Sequence, residues 1–211
     1  MPLRRDSERR QSLYVGVTHQ RRQLTAFLPQ PLRAQVDVVR RQWDPTMCDQ
    51  IGGHFTLCHD LSDEQIANLD ALGDVRQLRV RIGGTRHWGD PTRGIYLDVD
   101  DWQSTVSELR EALSIVVSPS SVYRPHVTLT HPRTTPAEVA FAAWRTLEVW
   151  RLDADVQVGT IDVIEHDGTR WRTLQQVTLA QHAPLSSLRV REGARMTFDE
   201  DRRLLRRPRS P

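Results

Sequence analysis

Apolar side chains recur at two periods along this chain, and the switches between them mark out its elements. Alternation predicts half-buried strands, and recurrence every three to four residues predicts helices. Residues 13–17 and 24–28 read as short strands, the second closed by Pro29. Residues 31–43 carry Leu32, Val36, Val39 and Trp43 at helical spacing, and Asp44-Pro45 stops that helix. Gly52-Gly53 reads as a turn into a strand at 54–59. Ser62 with Gln65 fits a capping box, and Ile66, Leu69 and Leu72 give one helix face, ended by Gly73. Residues 78–82 and 95–99 alternate as strands around a loop containing Gly83-Gly84. Two further capping boxes, Thr105 with Glu108 and Thr135 with Glu138, open helices bearing Val106, Leu109 and Leu113, then Val139, Ala142, Ala143 and Leu147. Residues 156–158 and 161–164 alternate, Asp167-Gly168 signals a two-residue hairpin, and 171–179 forms the return strand.

Two of the strands nearly copy each other. His54-Phe55-Thr56-Leu57-Cys58-His59 and His126-Val127-Thr128-Leu129-Thr130-His131 both read His, apolar, Thr, Leu, any residue, His. Successive side chains of a strand point to opposite faces. His54 and Thr56 therefore share one face and His126 and Thr128 another, each pair backed by apolar residues bound for a core. Strict alternation puts Cys58 on the His54 face and turns His59 and His131 away from their partners. One His-apolar-Thr-apolar string arises by chance in roughly one chain in ten of this size, and two in roughly one in a hundred. Each copy precedes a capped helix and further strands, so the repeat implies two similar α+β lobes related by a pseudo-twofold, with the motif faces meeting between them.

The 211 residues suffice for a sizeable core. All 29 basic residues are Arg, which fits codon bias better than a binding need, since function would not purge Lys from every loop. The net charge of +2 divides unevenly: +4 in residues 1–22, +4 in 184–211 and −6 between them. An acidic body argues against gripping long nucleic acid and for a small phosphorylated substrate or short RNA end. Residues 1–22 and 184–211 are expected to be disordered, flanking a domain over 23–183. No apolar run reaches membrane-spanning length, no signal peptide is evident, and Cys48 and Cys58 do not suggest a disulfide scaffold. A cytoplasmic monomer that does not engage membranes is expected.

Other chemistries lack their signatures. There is no His-Glu-x-x-His, no Gly-x-Ser-x-Gly and no Gly-rich nucleotide fingerprint. Neither motif carries a carboxylate on its own His/Thr face, so no metal is expected. Arg124, two residues before His126, is a candidate for holding the phosphate, and Tyr123, Trp88 and Tyr96 are candidates for stacking a nucleobase. His19, His87, His166 and His182 receive no role.

The paired His-x-Thr strings 72 residues apart, Pro125-His126-Val127-Thr128-Leu129 and Gly94-Ile95-Tyr96-Leu97-Asp98-Val99 together resemble the 2H phosphoesterase superfamily, which includes 2′–5′ RNA ligase-like proteins and cyclic phosphodiesterases. The resemblance runs over roughly residues 23–180. It implies an α+β, bilobal fold with two pseudo-symmetric antiparallel sheets, outer helices and a central cleft. It also implies metal-independent hydrolysis of 2′,3′-cyclic or related phosphodiesters, with no cofactor. His54 and His126 serve as the acid–base pair, with Thr56 and Thr128 donating to the phosphate oxygens. By resemblance His126 is the base and His54 the acid for ring opening. Other readings are a binding module of the same fold without turnover, a ligase-like enzyme, and an enzyme for a specialised cyclic oligonucleotide or metabolite.

Overall fold

The computed structural model describes residues 21–113 and 123–181. In chain order they form β1 (Arg22–Phe27), α1 (Leu32–Trp43), α2 (Pro45–Gln50), β2 (His54–His59), α3 (Asp63–Ala67), β3 (Leu78–His87), β4 (Ile95–Asp100), α4 (Thr105–Ala112), β5 (His126–Thr130), α5 (Ala137–Leu147), β6 (Arg151–Val158), β7 (Thr160–His166) and β8 (Trp171–Thr178). The strand expected at 13–17 and nearly all of both expected tails lie outside the described residues. Arg22 is an exception: it opens β1 and bonds Glu165 and Asp63.

The strands pair in the order β6-β3-β4-β5-β2-β1-β7-β8, with neighbours antiparallel throughout. The fold is thus α+β. The two expected sheets are the two four-stranded halves, β6-β3-β4-β5 and β2-β1-β7-β8, joined into one sheet by the single partner pair Phe55↔Val127. The motif strands β2 and β5 are the innermost strand of each half. The duplicated unit is strand, helix, motif strand, helix: β1-α1-β2-α3, with the short α2 added before β2, and β4-α4-β5-α5. The halves are not sequential, because the hairpin β7–β8 returns to pair with β1.

One apolar core lies under both halves. Phe55, Leu57, Val127 and Leu129 are each at most 1% exposed, and they meet Val36 of α1 and Val106 and Leu109 of α4. Each such side chain contributes about 1.5–3 kcal/mol on burial. That penalty for exposing the apolar residues holds the two motif strands face-in, and their polar residues face out.

Several local expectations change. Asp44-Pro45 ends α1, but it also starts α2. Pro45 occupies the first helical turn and the Asp44 carboxylate accepts from Met47 N at 3.1 Å. Gly83-Gly84 do not turn; β3 runs through them at a register shift. The Ser62–Gln65 box forms with both of its bonds, but its helix stops at Ala67 and continues as a 3₁₀ turn, Leu69–Asp74. The other two boxes are absent. Asp101 caps α4 by accepting from Val106 N and Ser107 N, while Thr105 bonds Arg79 N of β3. Pro136 precedes α5, whose start has no side-chain cap, and the Thr135 hydroxyl is buried without a partner. The hairpin loop spans 167–170, since His166 pairs with Trp171. Asp167 Oδ1 there accepts from Thr169 N and Arg170 N, a network larger than a two-residue turn needs.

Candidate active site

β2 and β5 touch at one pair, so on their polar side they splay around a cavity of about 520 Å³. His54, Thr56, His126 and Thr128 all line it. The two imidazoles are held alike. His54 Nδ1 bonds the Gly52 carbonyl at 2.8 Å and His126 Nδ1 bonds the Arg124 carbonyl at 2.9 Å, each two residues upstream. A carbonyl only accepts, so Nδ1 carries the proton in both rings and Nε2 is the nitrogen left for a substrate. Among the described residues, the hydroxyls of Thr56 and Thr128 have no protein partner.

Strict alternation fails after the fourth residue of each motif. Thr25 pairs with Thr56 but Leu24 with Cys58, so Leu57 is an extra residue in β2. Tyr96 pairs with Thr128 but Ile95 with Thr130, so Leu129 is the corresponding extra residue in β5. These bulges reset which face follows. Leu57 and Cys58 both enter the core, so Cys58 is not on the His54 face. His59 and His131, which alternation turned away, line the cavity with their partners. The bulges also leave carbonyls on β2 to be satisfied. Tyr123 Oη donates to Thr56 O at 2.8 Å, and Arg110 donates to Leu57 O while lying 3.7 Å over the Tyr123 ring. Burial pushes the Tyr123 hydroxyl up, which keeps its proton in place for that bond. Tyr123 thus braces the back of β2 and is outside the cavity lining.

Trp88 lines the cavity, 37% exposed. Tyr96 stacks beneath it at 4.3 Å, and both rings meet His126 edge-on, at 5.0 and 5.4 Å. Trp88 is thereby an available stacking surface and Tyr96 its buried support. Arg124 is exposed and outside the lining; it contributes its carbonyl to His126 rather than its guanidinium to the cavity. It precedes the first β4–β5 pair, Asp98↔His126, so strand alternation has no hold on it.

Sequence reasoning missed the cationic wall. Arg21, Arg40, Arg93 and Arg133 line the cavity with five histidines, His166 being the fifth, and no Asp or Glu lines it. Arg40 is 1% exposed, fixed by donating to Ile51 O at 2.7 Å and Asp37 Oδ1 at 3.1 Å. Its position on the α1 stripe gave it no apolar signal. Asp44 joins the two halves from behind: Oδ2 accepts from His131 N at 2.9 Å and Thr134 Oγ1 at 2.7 Å. No group of three or more His, Cys, Asp or Glu among the described residues is arranged to hold a metal ion.

Burial lowers the proton affinity of all four motif histidines. His54 falls from 6.5 to about 3, mainly by burial, partly opposed by its Gly52 bond and reinforced by Arg40 and the neighbouring imidazoles. His126 is lowered by burial against its Arg124 bond. His59 and His131 are lowered by burial, with Asp60 and Asp44 opposing. Burial thus favours the uncharged form of all four motif histidines.

A two-lobed α+β fold with a His-x-Thr pair from each lobe facing one cavity defines the 2H phosphoesterase class. Residues 28–170, more than half of the chain, match the family model described as the 2′-5′ RNA ligase superfamily, and the chain belongs to that superfamily. Among solved structures it is similar to Escherichia coli LigT complexed with 3′-AMP, at TM-score 0.52 and 16% identity over 77% of this chain and 99% of that one. It is likewise similar to a structure described as a phosphoesterase, at TM-score 0.50 and 17% identity over 77% and 99%. These likenesses concern the fold. No curated protein matches the chain. Among the described residues no helix is long and apolar enough to cross a membrane.

Proposed function

We propose that this protein is a metal-independent phosphodiesterase that hydrolyses 2′,3′-cyclic or related phosphodiesters of nucleotides or short RNA ends. The observation that carries this reading is the matched pair of Nδ1-anchored imidazoles and unpartnered threonine hydroxyls in one cavity free of lining carboxylates. The complex of E. coli LigT with 3′-AMP supports a nucleotide substrate. The free thiols Cys48 and Cys58 suit a reducing cytoplasm.

In this reaction one Nε2 takes a proton from water as its oxygen bonds to phosphorus. The other Nε2–H gives its proton to the leaving oxygen as the second P–O bond breaks. The Gly52 and Arg124 carbonyls support whichever ring becomes imidazolium, because Nδ1–H donates to them more strongly when charged. Thr56 and Thr128 donate to the non-bridging oxygens, where negative charge builds in the transition state. The resemblance assigns His126 as base. The deeper burial of His54 favours the reverse for ring opening, with His54 accepting and His126 donating, and the roles exchange in the cyclising direction.

The test is a product-resolved panel of nucleoside 2′,3′-cyclic phosphates and 2′–5′ and 3′–5′ linked oligonucleotides, run with and without chelator. We expect turnover of at least one diester to a single monoester isomer, undiminished by chelator. Tight binding without turnover across the panel would instead establish a binding module, and turnover that chelator stops would overturn the metal-independent mechanism.

A further inference from the structure

Each motif imidazole bonds the carbonyl two residues upstream, and the two carbonyls belong to peptide units that are fixed by different means. Before β5 the unit is Arg124–Pro125. Pro125 has no N–H, so this unit can offer the His126 ring only an oxygen. Before β2 the unit is Gly52–Gly53, and it carries an N–H. It is trans, so its N–H and C=O point in opposite directions. Turning it over changes only ψ of Gly52 and φ of Gly53, and glycine accepts such changes at little cost. Turned over, the unit would present its N–H to the His54 ring. Nδ1 would then have to accept, the proton would sit on Nε2, and the nitrogen facing the substrate would change from acceptor to donor.

Asp37 of α1 opposes that turn. Its Oδ1 accepts from Gly53 N at 2.7 Å and from Arg40 Nη1 at 3.1 Å, and Arg40 Nη1 also donates to Ile51 O at 2.7 Å. The main chain on both sides of the Gly52 carbonyl is thus tied to one helix. Arg33 holds the other carboxylate oxygen, its Nε lying 3.8 Å from Oδ2. The close approach depends on Gly53: a Cβ there would lie 3.2 Å from Val36 Cγ1 and 3.4 Å from Asp37 Oδ1. Asp37 is not in the lining of the cavity, so it acts on the site only through this peptide. Burial and the Arg40 charge both favour the uncharged ring of His54, which carries its single proton on one nitrogen or the other.

We propose that Asp37 is a positioning residue that sets the tautomer of His54: it holds the Gly52–Gly53 peptide with its carbonyl towards the ring and so leaves the Nε2 lone pair to the substrate. Pro125 does the same for His126 by having no N–H to offer. The kinetic consequence rests on the phosphodiesterase reading above; the tautomer itself does not.

The test reads the ring nitrogens of the isotope-labelled full chain by long-range proton–nitrogen correlation NMR at neutral pH and above, with His54→Ala and His126→Ala spectra assigning the two rings. In the wild type both rings should carry the proton on Nδ1. Asp37→Ala should raise the Nε2–H form of His54 to a measurable fraction, a change of ratio of roughly tenfold or more, and leave His126 as it was. Asp37→Asn keeps an acceptor but loses the charge, so it should shift His54 less and in the same direction; it also carries the test should the Ala protein not fold. On the best diester kcat should fall in proportion to the Nδ1–H population of His54, with KM changing less. A wild-type His54 already on Nε2–H, a ring that stays on Nδ1–H in the folded variants, or an equal shift of His126 would overturn the proposal. A shift to mainly Nε2–H with kcat unchanged would support the role of Asp37 and count instead against His54 as a reacting group.

Discussion

Replacing either His54 or His126 with Ala is expected to lower kcat on the best diester by about 10²–10⁴-fold, with the fold retained. Each imidazole is half-buried at the cavity wall and bonds only a nearby main-chain carbonyl, so its loss opens space without leaving a buried charge. Removing both should cost little more than removing one, because a proton taken and a proton given are parts of one step and such effects do not add. Steady-state kinetics, with circular dichroism as the check on folding, makes the measurement. A folded single variant with more than a tenth of wild-type kcat would show that its imidazole is not in the reaction.

Asp44→Ala is expected to destabilise the protein by about 3–5 kcal/mol. Asp44 is 1% exposed and one carboxylate serves three donors from two parts of the sheet's surroundings. It caps α2 through Met47 N, and it holds the His131–Thr134 turn through His131 N and Thr134 Oγ1. Truncation strands two part-buried main-chain N–H groups and a hydroxyl, and it unfastens the wall that carries His131 and Arg133. Asp44→Asn, which keeps the cap geometry but weakens each bond, should fall between wild type and Ala. Urea denaturation at matched m-values gives the difference. A loss below about 1 kcal/mol would mean that the three bonds do not fasten α2 to β5.

The shared faces of the two His-x-Thr pairs were legible in the sequence because they sit before the bulges. Up to Leu57 and Leu129, period-two alternation places each side chain correctly, and His54, Thr56, His126 and Thr128 line one cavity as expected. The extra residues in β2 and β5 come from pairing with β1 and β4, a long-range event with no signature in six letters. His59, His131 and Cys58 were therefore put on the wrong faces. The absent capping boxes have a similar cause. Thr105 met the local pattern, but its hydroxyl found Arg79 of β3, and a carboxylate four residues earlier supplied the cap. The cationic wall was hidden in a chain whose central body is net acidic. Arg21, Arg40, Arg93 and Arg133 are scattered over more than 110 positions and converge only in the fold.

The account turns on two imidazoles exchanging protons with the substrate, and the pH dependence of kcat/KM tests that most directly. Reaction needs one ring protonated and the other neutral, so the profile is a bell set by the free protein's two histidines. Burial lowers both affinities, His54 to about 3, so each ring loses its proton below the usual 6.5. The bell should therefore peak below pH 6.5 and decline through neutrality, while kcat, measured with the anionic phosphate bound, stays high to higher pH. In the residual activity of the two single Ala variants, one limb should vanish from each profile, the acidic limb with the base and the alkaline limb with the acid. A bell that survives unchanged in either variant, or a wild-type kcat/KM that is flat from pH 4 to 8, would contradict catalysis by His54 and His126.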